Sequence, residues 1–143
     1  MSMTTVSLDT NVVMALLNQE ESLNEGARAA IERSRRSGRL VVCGPVYAEL
    51  LGLPARTQPA LGEFFASGGI ELDWRFEEAV WRAAGVAFQE YVQRRVASTG
   101  LLPRRILTDF LIGAHTMVRG YTLLTLDRRL YEASFPGIRI DSF

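Results

Sequence analysis

Asp9, Glu49, Asp109 and Asp127 are the residues whose types and settings carry chemistry in this 143-residue sequence. Asp9 and Asp127 each follow an apolar, strand-forming run, residues 4–8 and 121–125, and ligands of open α/β sheets gather outside the carboxyl ends of strands. Glu49 and Asp109 interrupt segments that otherwise read as core helix, Pro45-Val-Tyr-Ala-Glu-Leu-Leu and Thr108-Asp-Phe-Leu-Ile-Gly-Ala. Plainer readings exist for each. Asp9 and Asp127 suit helix N-caps, and Asp109 can pair with Arg105 one helical turn away. Glu49 can simply face solvent, but positions 45, 46, 52 and 53 are Pro, Val, Gly and Leu, so no basic side chain stands at helical spacing. A carboxylate buried there is costly unless something pairs it.

A single hard cation with oxygen ligands accounts for all four acids at once. Mg²⁺ or Mn²⁺ suits such a set, because these ions take a few carboxylates, keep several waters and complete their shell with a phosphate. The chemistry this allows is metal-assisted attack of water on a phosphodiester, which needs no histidine base. The lone histidine, His115, is six residues from Asp109 and faces roughly 120° away around a helix, so it reads as a packed structural residue.

The elements that must position these acids are legible as strands alternating with helices. Residues 4–8 read as a strand and 11–17 as a helix with Asp9 or Thr10 at its start; 22–37 read as a second helix, with Ser22 and Glu25 in capping-box spacing. Residues 40–43 form an apolar run between glycines that suits a strand buried on both faces, and Gly44-Pro45 opens a helix over 46–51. After a loop over 52–59 come a short helix at 60–66, a strand at 70–72 and a long helix at 77–96. The apolar stripe of that long helix runs through Val80, Trp81, Ala84, Phe88, Tyr91 and Val92. Residues 97–103 read as a turn, 105–119 as a helix stopped by Gly120, 121–125 as a strand, Asp127 as the start of a short helix and 138–140 as an edge strand. The pattern predicts an α/β fold: one domain over 1–143, with a central parallel β-sheet flanked by helices on both faces.

Those motifs, in that order, resemble the PIN-domain ribonucleases, and most closely the VapC-like toxins of toxin–antitoxin pairs. The resemblance rests on Leu8-Asp9-Thr10-Asn11, on Glu49 within Val46-Tyr-Ala-Glu-Leu, on Asp109-Phe-Leu-Ile-Gly-Ala-His115, and on Leu124-Thr125-Leu126-Asp127 with Tyr131 after it. It implies a Rossmann-like sandwich with an acidic pocket for one or two Mg²⁺ or Mn²⁺ ions. Asp9, Glu49, Asp109 and Asp127 would be the catalytic and metal-binding acids, with Thr10, Asn11 and Thr125 holding carboxylates or waters in place. It further implies cleavage of an RNA such as tRNA or rRNA, inhibition by a small VapB-like antitoxin, and a homodimer.

Composition bounds these expectations. The chain has 16 basic and 16 acidic residues, and every basic one is arginine. The absence of lysine excludes a P-loop, whose motif ends in GK[ST], and argues against phosphatases and receiver domains that resemble this acidic plan but carry a pocket lysine. Arg104 with Arg105, and Arg128 with Arg129, flank the acid-bearing segments and are candidates for RNA-backbone contacts. Trp74, Trp81 and Phe88 read as part of a core or dimer face. A single cysteine, no positively charged leader and no long apolar run predict a cytoplasmic protein away from membranes. Two alternatives stay open: a non-catalytic PIN-like binding or assembly module, and a structure-specific DNA nuclease with the same metal chemistry.

Overall fold

The computed structural model describes residues 3–100 and 107–143. Five parallel strands form one sheet in the order β3-β2-β1-β4-β5: β1 (Val6–Leu8), β2 (Leu40–Cys43), β3 (Ile70–Asp73), β4 (Thr122–Leu124) and β5 (Arg139–Asp141). The described helices are α1 (Thr10–Leu17), α2 (Asn24–Ser37), α3 (Gly44–Leu51), α4 (Gln58–Ser67), α5 (Glu78–Thr99), α6 (Leu107–Arg119) and α7 (Arg128–Ser134). The α/β expectation holds, and β5 is the predicted edge strand.

The three central strands β2, β1 and β4 carry the core. Every residue of β1 and β2 is buried, as parallel strands covered by helices on both faces require. Leu8, Val42, Leu123 and Leu124 are wholly enclosed, together with Phe65 and Phe110 from the covering helices. The chain runs outward from β1 to β2 and β3, then crosses back to β4 on the other side of β1. The reversal therefore falls between β1 and β4, and a crevice opens at the carboxyl ends of strands where the order reverses.

Several local expectations change. The Ser22–Glu25 capping box does not form: Ser22 bonds Glu21, and α2 starts at Asn24 without a side-chain cap. The Asn24 amide instead donates to the carbonyls of Ala15 and Leu16 at the end of α1. A tertiary bond thus sets where this helix begins. Helix α5 runs past Val96 to Thr99, because the Ser98 and Thr99 hydroxyls bond back to the Arg95 carbonyl and Gly100 closes the helix in the left-handed region at φ 71°. The rest of the predicted 97–103 turn, and the predicted start of α6 at Arg105, lie outside the described residues. Trp74 and Trp81 are not core residues. They are 60% and 52% exposed, resting edge-on against Tyr47 and Phe76 respectively. Only Phe88 packs inward, on Phe110.

Candidate active site

Asp9 stands immediately after β1, and its backbone N–H extends the β1–β4 ladder by donating to the Leu124 carbonyl at 3.0 Å. Its side chain is 3% exposed. The Thr10 N–H donates to Oδ1 at 2.7 Å and the Thr125 hydroxyl donates to Oδ2 at 2.7 Å. Asp9 is therefore an N-cap, as its plainer reading holds, but the cap occupies one oxygen only. Burial raises the Asp9 pKa against the opposing hydrogen bonds, and the negative charge of Glu49 adds to the rise. A carboxylate in this position stays ionised most readily beside a cation.

Glu49 projects from α3 toward the same strand end, where the Thr10 hydroxyl donates to its Oε1 at 2.6 Å. Thr10 thus bridges the two acids, its N–H on Asp9 and its hydroxyl on Glu49. The Thr125 hydroxyl does comparable work on the other side: it donates to Asp9 and accepts the Asp127 N–H at 2.9 Å. Asn11 completes the anchoring by accepting the Leu126 N–H on its Oδ1 at 3.2 Å. Thr10, Asn11 and Thr125 therefore tie α1, α3 and the segment after β4 into one rigid corner.

Asp127 occupies the N-cap position of α7, yet its side chain makes no capping hydrogen bond, so the plain capping account fails there. Asp109 lies in the first turn of α6. Asp109 and Asp127 both act electrostatically on the Tyr131 hydroxyl, as does Asp9. Thr10 thus links Asp9 with Glu49, while Asp9, Asp109 and Asp127 share an electrostatic effect on Tyr131. Among the described residues, no three carboxylate, imidazole or thiol side chains close into a ready-made metal cluster. The donor set itself fits a hard divalent ion, being all oxygen, with Asp9 buried and held among the described residues by neutral donors.

Tyr131 is a neighbour of these acids to which sequence reasoning gave no role. Its ring is fully buried. The interaction of its hydroxyl with Asp9 lowers that carboxyl's proton affinity. The sequence signal was its position four residues after Asp127 on a helix that buries that face.

The predicted arginines divide. Arg104 and Arg105 lie outside the described residues. Arg128 folds back, donating to Glu132 at 3.0 Å and to the Ile140 carbonyl at 3.2 Å, whereas Arg129 is exposed.

His115 lies apart from the acids. It is fully buried, bonds Asp73 through Nε2 at 2.9 Å and stacks on Phe76. Burial lowers its pKa despite Asp73. Burial alone would raise the pKa of Asp73, but His115 and the Arg75 N–H pull it below the usual value. Arg119 joins this cluster, 2.9 Å from Glu77 and 3.7 Å from Asp73. The structural role expected of His115 is therefore fastening α6 to the end of β3. Burial pushes the Cys43 thiol up to about 12, which makes it a packing residue.

No curated protein matches the sequence. Among solved structures, the fold is similar to a chain of VapBC2 from Rickettsia felis bound to a promoter DNA fragment, with a TM-score of 0.65 and 17% identity over 97% of this chain and 98% of that one. It is also similar to VapBC-1 from nontypeable Haemophilus influenzae, with a TM-score of 0.64 and 18% identity over 97% and 98% of the two chains. DNA-bound VapBC from Salmonella typhimurium gives 0.59 and 23% over 98% of each. The family model described as PIN domain matches residues 6–136, from the first residue of β1 to just past α7. That span holds the sheet reversal and all four acids, and the chain belongs to the PIN domain family.

Proposed function

We propose that this protein is a Mg²⁺- or Mn²⁺-dependent endoribonuclease and the toxin of a VapBC-type pair. The observation that carries the reading is Asp9: a buried carboxylate with both oxygens fixed, bridged to Glu49 by Thr10, at the strand end where the sheet order reverses. Membership of the PIN family supports nuclease chemistry, and the likeness to VapBC chains supports an antitoxin partner.

In this reading Asp9, Glu49, Asp109 and Asp127 hold the ion. When bound, it supplies Lewis acidity and offsets the charge that develops on the phosphate. The protein's own contribution is orientation. Thr125 holds one Asp9 oxygen and the Asp127 backbone, while Thr10 holds the other Asp9 oxygen and Glu49, so the acids meet the substrate without reorganising. Arg129, and Arg104 with Arg105, supply phosphate contacts; Arg128 joins them on leaving Glu132. A groove lined by Met14, Leu17, Leu23, Leu53, Arg56 and Leu126 borders Asn11, and supports docking of an antitoxin segment beside the acids. The toxin acts in the cytoplasm as a homodimer.

Purified protein is expected to cut RNA with Mg²⁺ or Mn²⁺ and to stop in excess chelator. Asp109→Asn should lower the rate by about 10³-fold, the scale of several kcal/mol of lost transition-state stabilisation, with an unchanged circular dichroism spectrum. Full activity in chelator refutes the metal chemistry, and cleavage of DNA in place of RNA refutes the substrate. Induced expression should arrest bacterial growth while Asp9→Ala does not; equal growth of the two strains removes the toxin role.

A further inference from the structure

Trp74 is an apolar side chain that the fold leaves in water and yet holds in place. It follows the last residue of β3 and is 60% exposed. The backbone on either side of it is fixed: Asp73 accepts the Arg75 N–H on Oδ1 at 3.0 Å, and its Oδ2 bonds Nε2 of the buried His115 at 2.9 Å, with Arg119 3.7 Å away. A buried imidazole and a guanidinium thus lock the turn that presents an exposed ring. The indole stands over the start of α3, where Tyr47 meets it at 80° with ring centroids 5.1 Å apart and a Cβ on Gly44 would lie 3.7 Å from its Cε3. A ring so exposed is not covered on both faces. Because the strands are parallel, Trp74 stands at the same carboxyl end of the sheet as Asp9, with β2 between β3 and β1. Two strand spacings, roughly 10 Å, separate the two strand ends, and α3 carries both Tyr47 and Glu49.

We propose that Trp74 is a stacking platform for one unpaired base of the RNA substrate, beside the bond that is cut. Unpaired bases stack on aromatic rings, and every base offers a face to do so. The inference rests on the reading of the chain as an RNA nuclease, and adds that the substrate is single-stranded where it crosses the end of β3. Arg75, the next residue, is exposed and supplies a cation for the phosphates of the same strand. The turn held by Asp73 and His115 is ordered before the RNA arrives, so little entropy is lost in fixing the ring on binding.

The test is binding of oligoadenylate, and of an abasic strand of equal length, to Asp109→Asn protein in Mg²⁺, where cutting is too slow to consume the strand. Adding Trp74→Ala should weaken oligoadenylate binding by about 10-fold, within the range lost when a stacked base loses its aromatic partner. Binding of the abasic strand should not change. Trp74→Phe should recover most of the loss, and oligoadenylate should quench tryptophan emission in Trp81→Phe protein but not in Trp74→Phe protein. Equal oligoadenylate affinity with and without Trp74→Ala overturns the proposal while leaving the nuclease reading intact. Equal losses for both strands also overturn it, because the ring then acts on something other than a base. So does a loss of affinity that accompanies a fall from dimer to monomer in light scattering, because the ring then covers a second copy of the chain. Absence of RNA binding by the Asp109→Asn protein overturns the nuclease reading and the proposal together.

Discussion

At the scale of single residues, the decisive fact is that Asp9 is buried with its charge opposed by Glu49 and, among the described residues, supported by neutral donors. Its folded pKa lies above the ordinary 3.8, so the folded chain holds this proton more tightly than the unfolded chain. Where the folded state binds more protons, stability falls as pH rises. The Asp9 penalty therefore develops as pH climbs from 3.8 to the raised folded value, and stays in full above it. Asp9→Asn should remove it. The Asn Oδ1 still accepts from the Thr10 N–H, and its Nδ2 donates to the Thr125 oxygen, which has a second lone pair while accepting from Asp127. In chelator at pH 7 the variant should melt above wild type. The gap should close as pH falls toward 3.8. A variant that melts below wild type at pH 7 would show that hydrogen bonding, and not charge, dominates this position.

At the scale of elements, the site depends on how closely α6 approaches α7. Asp109 and Gly113 lie four residues apart on one face of α6, and Tyr131 and Phe135 lie four apart along α7 and its C-cap. A Cβ at Gly113 would stand 2.2 Å from Phe135 Cε2 and 2.5 Å from its Cδ2, inside a ring only 2% exposed. Gly113 is thus what lets the helices close until Tyr131 meets the field of Asp109. Gly113→Ala gains about 1 kcal/mol of helix propensity. Overpacking a core costs about 1–3 kcal/mol or more, and the severity of this clash makes a net loss of about 1–2 kcal/mol the expected outcome in urea. In the Phe135→Ala background the same substitution should cost nothing further, and additive losses in that double-mutant cycle would refute the account. Such closeness is hard to read from sequence. The runs around β2 were legible because glycines bound an unbroken apolar stretch, and Asp9, Glu49, Asp109 and Asp127 stood out because each broke a local pattern. Partners from distant segments left no such mark: Asn24 with the end of α1, His115 with Asp73, Tyr131 with Asp9. Trp81 fitted a helical stripe by periodicity, yet it is exposed beside Phe76, since periodicity gives a face and not the neighbour that covers it.

At the scale of the whole molecule, the candidate ligands come from four separated stretches: the end of β1, α3, α6 and the segment after β4. The sheet order places two of these on the strands flanking the reversal, and the helices packed across the strand ends contribute the rest. An unfolded chain has no reason to bring four such stretches together, so an ion that uses them binds the folded state alone. Its binding free energy then adds to global stability. At a concentration 100-fold above the dissociation constant, linkage gives about 2.7 kcal/mol, or roughly 10 °C in melting temperature for a chain of this length. Mn²⁺ should therefore raise the melting temperature of wild type in a single cooperative transition, reversed by chelator, while leaving Asp9→Asn unmoved. Because the sheet joins all four stretches, the shift should read the same by tryptophan fluorescence, from Trp74 and Trp81 at the β3–α5 side, and by far-ultraviolet dichroism. Two transitions, only one of them responsive to Mn²⁺, would mean that the acids ride on a locally unfolding corner and not on the domain as a unit.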